Sequence, residues 1–237
     1  MKKTVRLALL IVGVLLILLG SVSVAAASLD MRRGREKPDV SAGIDMTALR
    51  ALNPDIVGWL TVDGTGIDFP VLQDRAVREE YVSTGRVDTG EGDPARRLYK
   101  YLYTDYTGED SRTGSITLDY RYDLTAPYVV IHGHNAGSRG VMFSDLKSFE
   151  DEAFFEAHRS ALVYTDGGER ELTLQAVAVV DATSGAVYGN DSAAAAKHIG
   201  EHALFGEVTE SDGYVLLSTC YAGKDSMERL VLLYGMI

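Results

Sequence analysis

From residue 57 onward the apolar residues fall into short runs, and nearly every run is closed by a turn former. Residues 57–62, 66–72, 115–120, 127–132, 161–165, 171–180, 214–219 and 230–234 read as strands. Asp63-Gly64 is a hairpin-type turn between the first two, and Asp166-Gly167-Gly168 separates the fifth from the sixth. Residues 127–132 are nearly continuously apolar, which marks a strand buried on both faces. Only three segments read as helices: 45–52, stopped by Asn53-Pro54, then 151–158 with Phe154 and Phe155 facing inward, and the alanine-rich 192–205. Residues 75–113 are charged and irregular and read as a long connection with some strand. Many short strands with few helices predict a mainly β fold, a barrel or sandwich with inserted helices.

Residues 7–27 are 21 in a row without a charge, preceded by Lys2, Lys3 and Arg6. At 1.5 Å per helical residue such a run crosses a hydrocarbon layer of roughly 30 Å. The preceding cations favour a cytoplasmic N-terminus, although Arg32, Arg33, Arg35 and Lys37 follow the run and weaken the bias. The expectation is an uncleaved anchor over 1–27, a polar stalk over 28–44 and a folded domain over 45–237. The competing reading is a cleaved signal peptide, with Ala25-Ala26-Ala27 as the small residues at its end. Both readings put residues 38–237 outside the cytoplasm.

Charge narrows the partners. The chain carries −11, of which the first 27 residues contribute +3, so the body carries −14. An acidic body without clustered Lys/Arg argues against nucleic acid. One cysteine, Cys220, excludes an internal disulfide. In an exported domain a lone thiol is an intermolecular bridge, a buried inert group or a reactive one.

The context of Cys220 favours reactivity. The apolar run 214–217 meets Ser218, Thr219 and Cys220, a connection containing Gly223, Asp225 and Ser226 follows, and Arg229 opens the next strand. Antiparallel pairing of these strands sets Cys220 opposite Arg229, with Cβ atoms roughly 4.5–5.5 Å apart. His134 follows the buried strand 127–132 on a Gly133/Asn135 turn, a loop position on a rigid scaffold where catalytic groups sit. A nearby cation favours the thiolate, and a histidine can protonate a leaving amine. The bland readings are a buried structural thiol for Cys220 and a solvated strand-end charge for Arg229. His132 and His134 face one side if the strand continues, which also suits two metal ligands, but no third ligand lies close in sequence.

At this point the residues resemble a family. Leu217-Ser218-Thr219-Cys220 with Arg229-Leu230-Val231 resembles the sortase signature, a TLxTC segment ending one strand and an arginine opening the next. Gly133-His134-Asn135 resembles the sortase histidine motif. The stretches 53–60 and 64–71, Gly114-Ser115-Ile116, Asp119-Tyr120-Arg121 and Met142-Phe143-Ser144-Asp145-Leu146 are similar to blocks of class B sortases, in the same order. The likeness runs from about residue 48 to the C-terminus. It implies an eight-stranded β-barrel with an N-terminal helical part and a helix before the cysteine strand, with 192–205 as the candidate for that helix. It implies a cysteine transpeptidase: Cys220 as nucleophile, His134 as acid/base and Arg229 at the oxyanion, with Asn135, Ser218 and Thr219 as candidate substrate-binding residues. No cofactor and no metal are implied. The implied partners are proteins bearing a sorting signal and an amine acceptor from a peptidoglycan precursor or a pilin. The chain departs from the pattern at Leu216, which replaces the first threonine of TLxTC, at Tyr122, where many class B members have asparagine, and in a longer segment 85–97. A sortase fold that only hydrolyses, or a tethered scaffold with an inert thiol, is the alternative.

Overall fold

A computed structural model describes residues 12, 16, 19–23, 25–29, 31–221 and 226–236. No helix among them is long and apolar enough to cross a membrane. The expected span over 7–27 lies mostly outside the described residues; those of it that are described are helical and exposed.

Nine strands form one sheet: β1 (Ile56–Val62), β2 (Asp68–Leu72), β3 (Ile116–Leu118), β4 (Tyr128–His132), β5 (Ser160–Thr165), β6 (Gly168–Asp181), β7 (Ala203–Gly206), β8 (Tyr214–Cys220) and β9 (Glu228–Met236). The order is β5-β1-β2-β3-β4-β8-β9-β6-β7, and β5 also pairs with β6. Eight strands therefore close into a barrel, which removes the open edges an unclosed sheet would expose. The ninth, β7, continues beside β6 where β5 leaves off, since β6 pairs with β5 up to Thr173 and with β7 from Ala176. The barrel interior is filled by a continuous apolar cluster that includes Leu60, Val71, Ile131, Leu174, Leu216 and Leu232, all at most 1% exposed. Leu216 faces this core as expected, so the missing threonine costs no surface group.

Two expectations give way to tertiary structure. The alanine-rich helix α5 (Ser192–Glu201) stops short of residue 205. Ala203 and Phe205 pair with Ala178 and Val177 of β6, and a strand partner outweighs local helix propensity. Residues 75–113 hold helices α2 (Arg75–Thr84) and α3 (Pro94–Leu98) and a 3₁₀ turn, Lys100–Leu102, with only an isolated bridge, Thr104 to Asp110, in place of strand. In α2 only Val77 is buried, so no apolar stripe announces the helix. Its markers are the caps: Asp74 accepts from the Val77 amide and Gly85 closes it in the left-handed region at φ 73°.

Helix α1 (Met46–Leu52) is capped by Asp45, and Met46 and Leu49 cover Trp59, Ile56 and Tyr101 in a second small cluster. Helix α4 (Glu152–Ala157) buries Phe155 fully, with Phe154 packed against the main core. The segment before α1 is also packed: Gly34 and Pro38 are buried, and a Cβ at Gly34 would lie 2.7–2.9 Å from side-chain atoms of Thr113 and Val141.

Candidate active site

Three strand ends build the site. Strand β4 runs parallel to β8, with His132 beside Ser218, and β8 runs antiparallel to β9, with Cys220 directly opposite Arg229. Directly opposed residues of an antiparallel pair share a face, so the two side chains leave the ladder on the same side. Beyond the ladder, side chains and amides stitch the strand ends together. The Gly133 amide donates to the Ser218 carbonyl (3.2 Å), Thr219 Oγ1 donates to the Gly133 carbonyl (2.7 Å), and Asn135 Nδ2 donates to the Cys220 carbonyl (3.2 Å). The backbone that carries His134 is thereby tied to the backbone that carries Cys220. His134, Cys220 and Arg229 all line one groove of about 770 Å³.

The other expected residues are present but committed. Ser218 and Thr219 are each 2% exposed. Ser218 Oγ is hydrogen-bonded to the Tyr188 hydroxyl at 2.9 Å. Asn135 Oδ1 accepts from the Gly137 amide at 3.1 Å, so both ends of its amide are engaged.

His134 Nε2 lies 2.8 Å from the Leu102 carbonyl. A carbonyl only accepts, so Nε2 carries the hydrogen and the neutral ring has its lone pair on Nδ1. Burial pushes the His134 pKa below the ordinary imidazole value, the Leu102 carbonyl pulls the other way, and the positive charge of Arg229 adds to the lowering. Arg229 is anchored through Nη1 to the carbonyls of Ser226 (2.7 Å) and Glu228 (3.0 Å). The Leu102 carbonyl can reach His134 because of a glycine next door. Gly114 is left-handed at φ 60°, and a Cβ there would overlap the Leu102 carbonyl. Gly114 also starts the run in which the Ser115 amide donates to Tyr101 (2.7 Å) and Ser115 Oγ to Thr104 (3.0 Å).

The second histidine has a different environment. His132 Nε2 faces Asp119 Oδ2 at 3.2 Å. Asp119 is fully buried and also holds the Arg121 guanidinium through both oxygens (2.8 and 2.7 Å) and the Tyr99 hydroxyl (2.8 Å). Burial alone would raise the Asp119 carboxyl; hydrogen bonds from Arg121 and His132 and their charges outweigh it and hold the group well below the usual carboxylate range. With His132 on a carboxylate and His134 on a carbonyl, the two rings do not converge as a ligand pair. No group of three candidate ligands occurs among the described residues.

The groove wall was not legible beforehand. It comprises Tyr99, Leu102 and Tyr103 on one side and Thr183, Ser184, Gly185 and Tyr188 on the other. Tyr188 stacks on His132 at 6.1 Å. Burial pushes its phenol up to about 12, against the opposing effects of the Ser218 hydrogen bond and the Arg229 charge. Asp119-Tyr120-Arg121 is a recognisable block in the sequence, but nothing there says that the carboxylate is buried beneath the groove. Leu102 acts through its backbone and leaves no sequence signal.

No family model matches the chain. Over 205 residues it is 27% identical to sortase B of Listeria monocytogenes, covering 81% of this chain and 74% of that protein. Sortase B of Clostridium perfringens superposes with a TM-score of 0.65 at 24% identity, over 81% of this chain and 100% of the other. A Streptococcus pyogenes class B sortase involved in pilus biogenesis gives 0.64 at 25% identity, over 82% and 98%. These proteins share the closed barrel, and they share it along most of a chain that ends one strand on Leu-Ser-Thr-Cys and begins the next around Arg229. Over most of its length the chain is therefore similar, in sequence and in fold, to class B sortases.

Proposed function

We propose that this chain cleaves the sorting signal of an exported protein after a threonine and joins the new acyl end to an amine, with Cys220, His134 and Arg229 as the reacting groups. The observation that carries the assignment is the direct pairing of Cys220 with Arg229 at the mouth of β8 and β9, on a groove that His134 also lines. A structure of the Staphylococcus aureus sortase B in complex with substrate shares the fold, with a TM-score of 0.63.

The groups suit the chemistry in sequence. The resting His134 is neutral at pH 7, because burial and Arg229 lower its pKa. Its Nδ1 takes the thiol proton as Cys220 Sγ attacks the threonine carbonyl carbon. Charge then develops on the carbonyl oxygen, where a guanidinium stabilises it. The C–N bond breaks, the leaving amine takes the proton from His134, and a thioester remains on Cys220. An acceptor amine attacks the thioester and gives its proton to Nδ1. The thiolate leaves and is reprotonated by His134, so the enzyme is restored. Asn135, Ser218 and Thr219 shape the groove floor by holding the β8 end in place.

The anchor belongs to the same reading. A 21-residue uncharged run after Lys2, Lys3 and Arg6 suits a single membrane span with residues 38–237 outside the cytoplasm, facing a peptidoglycan-precursor or pilin amine. Protease added to intact cells should remove the domain and leave a short membrane-bound stub; a fully protected or fully soluble chain overturns the topology.

The function is tested with the full chain and peptides carrying NPxTN-, LPxTG- and SPxTG-type signals, read by mass spectrometry with and without an amine acceptor. Cleavage after threonine with an acceptor-joined product is expected. No cleavage and no thioester adduct across the panel, with a Cys220 that resists alkylation, sinks the reading.

A further inference from the structure

Among the described residues no strand pairs with the wall segment 182–189 to take its carbonyls. Two side chains from the β3–β4 connection and one from the start of β4 take them instead. The Tyr128 hydroxyl donates to the Val187 carbonyl (2.6 Å), Arg121 Nη1 to Tyr188, and the Tyr122 hydroxyl to Gly189 (2.5 Å). Three consecutive carbonyls are thus gripped from one rigid base. The base is itself locked, since Arg121 is held through both oxygens of the fully buried Asp119 and the Tyr122 and Tyr128 rings meet edge to face at 5.7 Å.

The inner side of the same segment faces the groove. Tyr188 donates or accepts with Ser218 Oγ at 2.9 Å and stacks on His132, while Thr183, Ser184 and Gly185 line the space. The segment's own turn is tight: the Tyr188 amide donates to Ser184 (2.9 Å), and a Cβ at Gly189 would overlap the Gly185 carbonyl.

We propose that Arg121, Tyr122 and Tyr128 are positioning residues that hold the wall 182–189 at a fixed distance from Cys220 and so set the affinity of the groove for its peptide. The inference rests on the transpeptidase reading and extends it from the reacting groups to the frame of the groove wall. A wall already immobile costs no ordering on binding, and a released one must be ordered by the substrate. The clamp therefore acts on binding and leaves the chemistry at Cys220 alone. Tyr122, where many class B sequences have asparagine, serves in this chain as part of the frame, at 5% exposure.

The test uses the full chain with Tyr122→Phe, which removes one hydroxyl, and Gly189→Ala, which displaces the wall from within. Both should raise KM for a cleaved signal peptide by about tenfold, with kcat and the iodoacetamide alkylation rate of Cys220 unchanged. Amide hydrogen exchange over 182–189 should quicken in Tyr122→Phe while that of β8 stays as it was. An unchanged KM in both variants, or a kcat that falls together with the alkylation rate, overturns the clamp. If the unsubstituted chain cleaves nothing, the transpeptidase reading fails on its own; exchange over 182–189 then judges the clamp, and unchanged exchange in Tyr122→Phe refutes it.

Discussion

The two sides of the groove are held by different physics. On the Cys220 side, backbone ladders fix the positions: β4, β8 and β9 run together, and Cys220 faces Arg229 because their strands are in register. Along the flanking walls, residues 99–103 and 182–189 belong to no ladder among the described residues. Four of their carbonyls are captured by individual side chains: Leu102 by His134, and 187–189 by Tyr128, Arg121 and Tyr122. A ladder distributes its restraint over many equivalent bonds, whereas a clamp concentrates it in a few. The reactive groups should thus tolerate distant change, and the wall should fail at single residues.

The sharpest division comes from Cys220→Ala. It should lower peptide transfer by about 10⁴-fold with the thermal midpoint little changed, as an assay paired with a melt would read. A large stability loss instead would return Cys220 to the role of a core thiol.

Asp119→Asn should act the other way round, on the frame. Removing the charge leaves the Arg121 guanidinium without its partner in a partly buried site, at a cost of about 3–5 kcal/mol in urea unfolding. Because the Asp119 pKa is depressed by folding, its contribution is complete above the unfolded carboxylate value of about 3.9 and is lost as pH falls through the lower folded value. The unsubstituted protein should lose stability below about pH 4, and the Asn variant should lack that part of the slope.

Next in size, Arg229→Lys should lower kcat by about 10²-fold, since a point charge does not reproduce the guanidinium fork. Arg229→Gln should move the His134 titration to higher pH, because one of the causes lowering it is gone. Imidazole resonances followed against pH give the midpoint; an unmoved or lower midpoint would mean that Arg229 does not act on His134. The acid limb of kcat/KM should move up with it.

The smallest effect lies furthest from the groove. Among the described residues the Tyr234 hydroxyl is buried with no hydrogen-bond partner. Tyr234→Phe should therefore stabilise the barrel by about 1 kcal/mol without altering transfer. A loss of stability would show that the hydroxyl is satisfied after all.

Much of the β8/β9 side was legible from residue order alone. The apolar run into Ser218-Thr219-Cys220, the turn formers after it and Arg229 together predict a hairpin mouth, and His134 after a doubly buried strand predicts the third strand end. These are local patterns whose consequences a ladder carries over short distances. The strand runs and the stop of α1 before Asn53-Pro54 are of the same kind. What tertiary structure alone decided was contact between segments remote in sequence. Leu102 meets His134 through a backbone carbonyl, which any residue there would present. The 203–206 strand exists because β6 lies alongside it. The wall at 187–189 is held by hydroxyls and a guanidinium some 60 residues away, and a tyrosine in a sequence does not announce whether its hydroxyl will meet water, substrate or a carbonyl. Periodicity reports which face of an element is buried; it does not report which polar groups find each other once burial is complete.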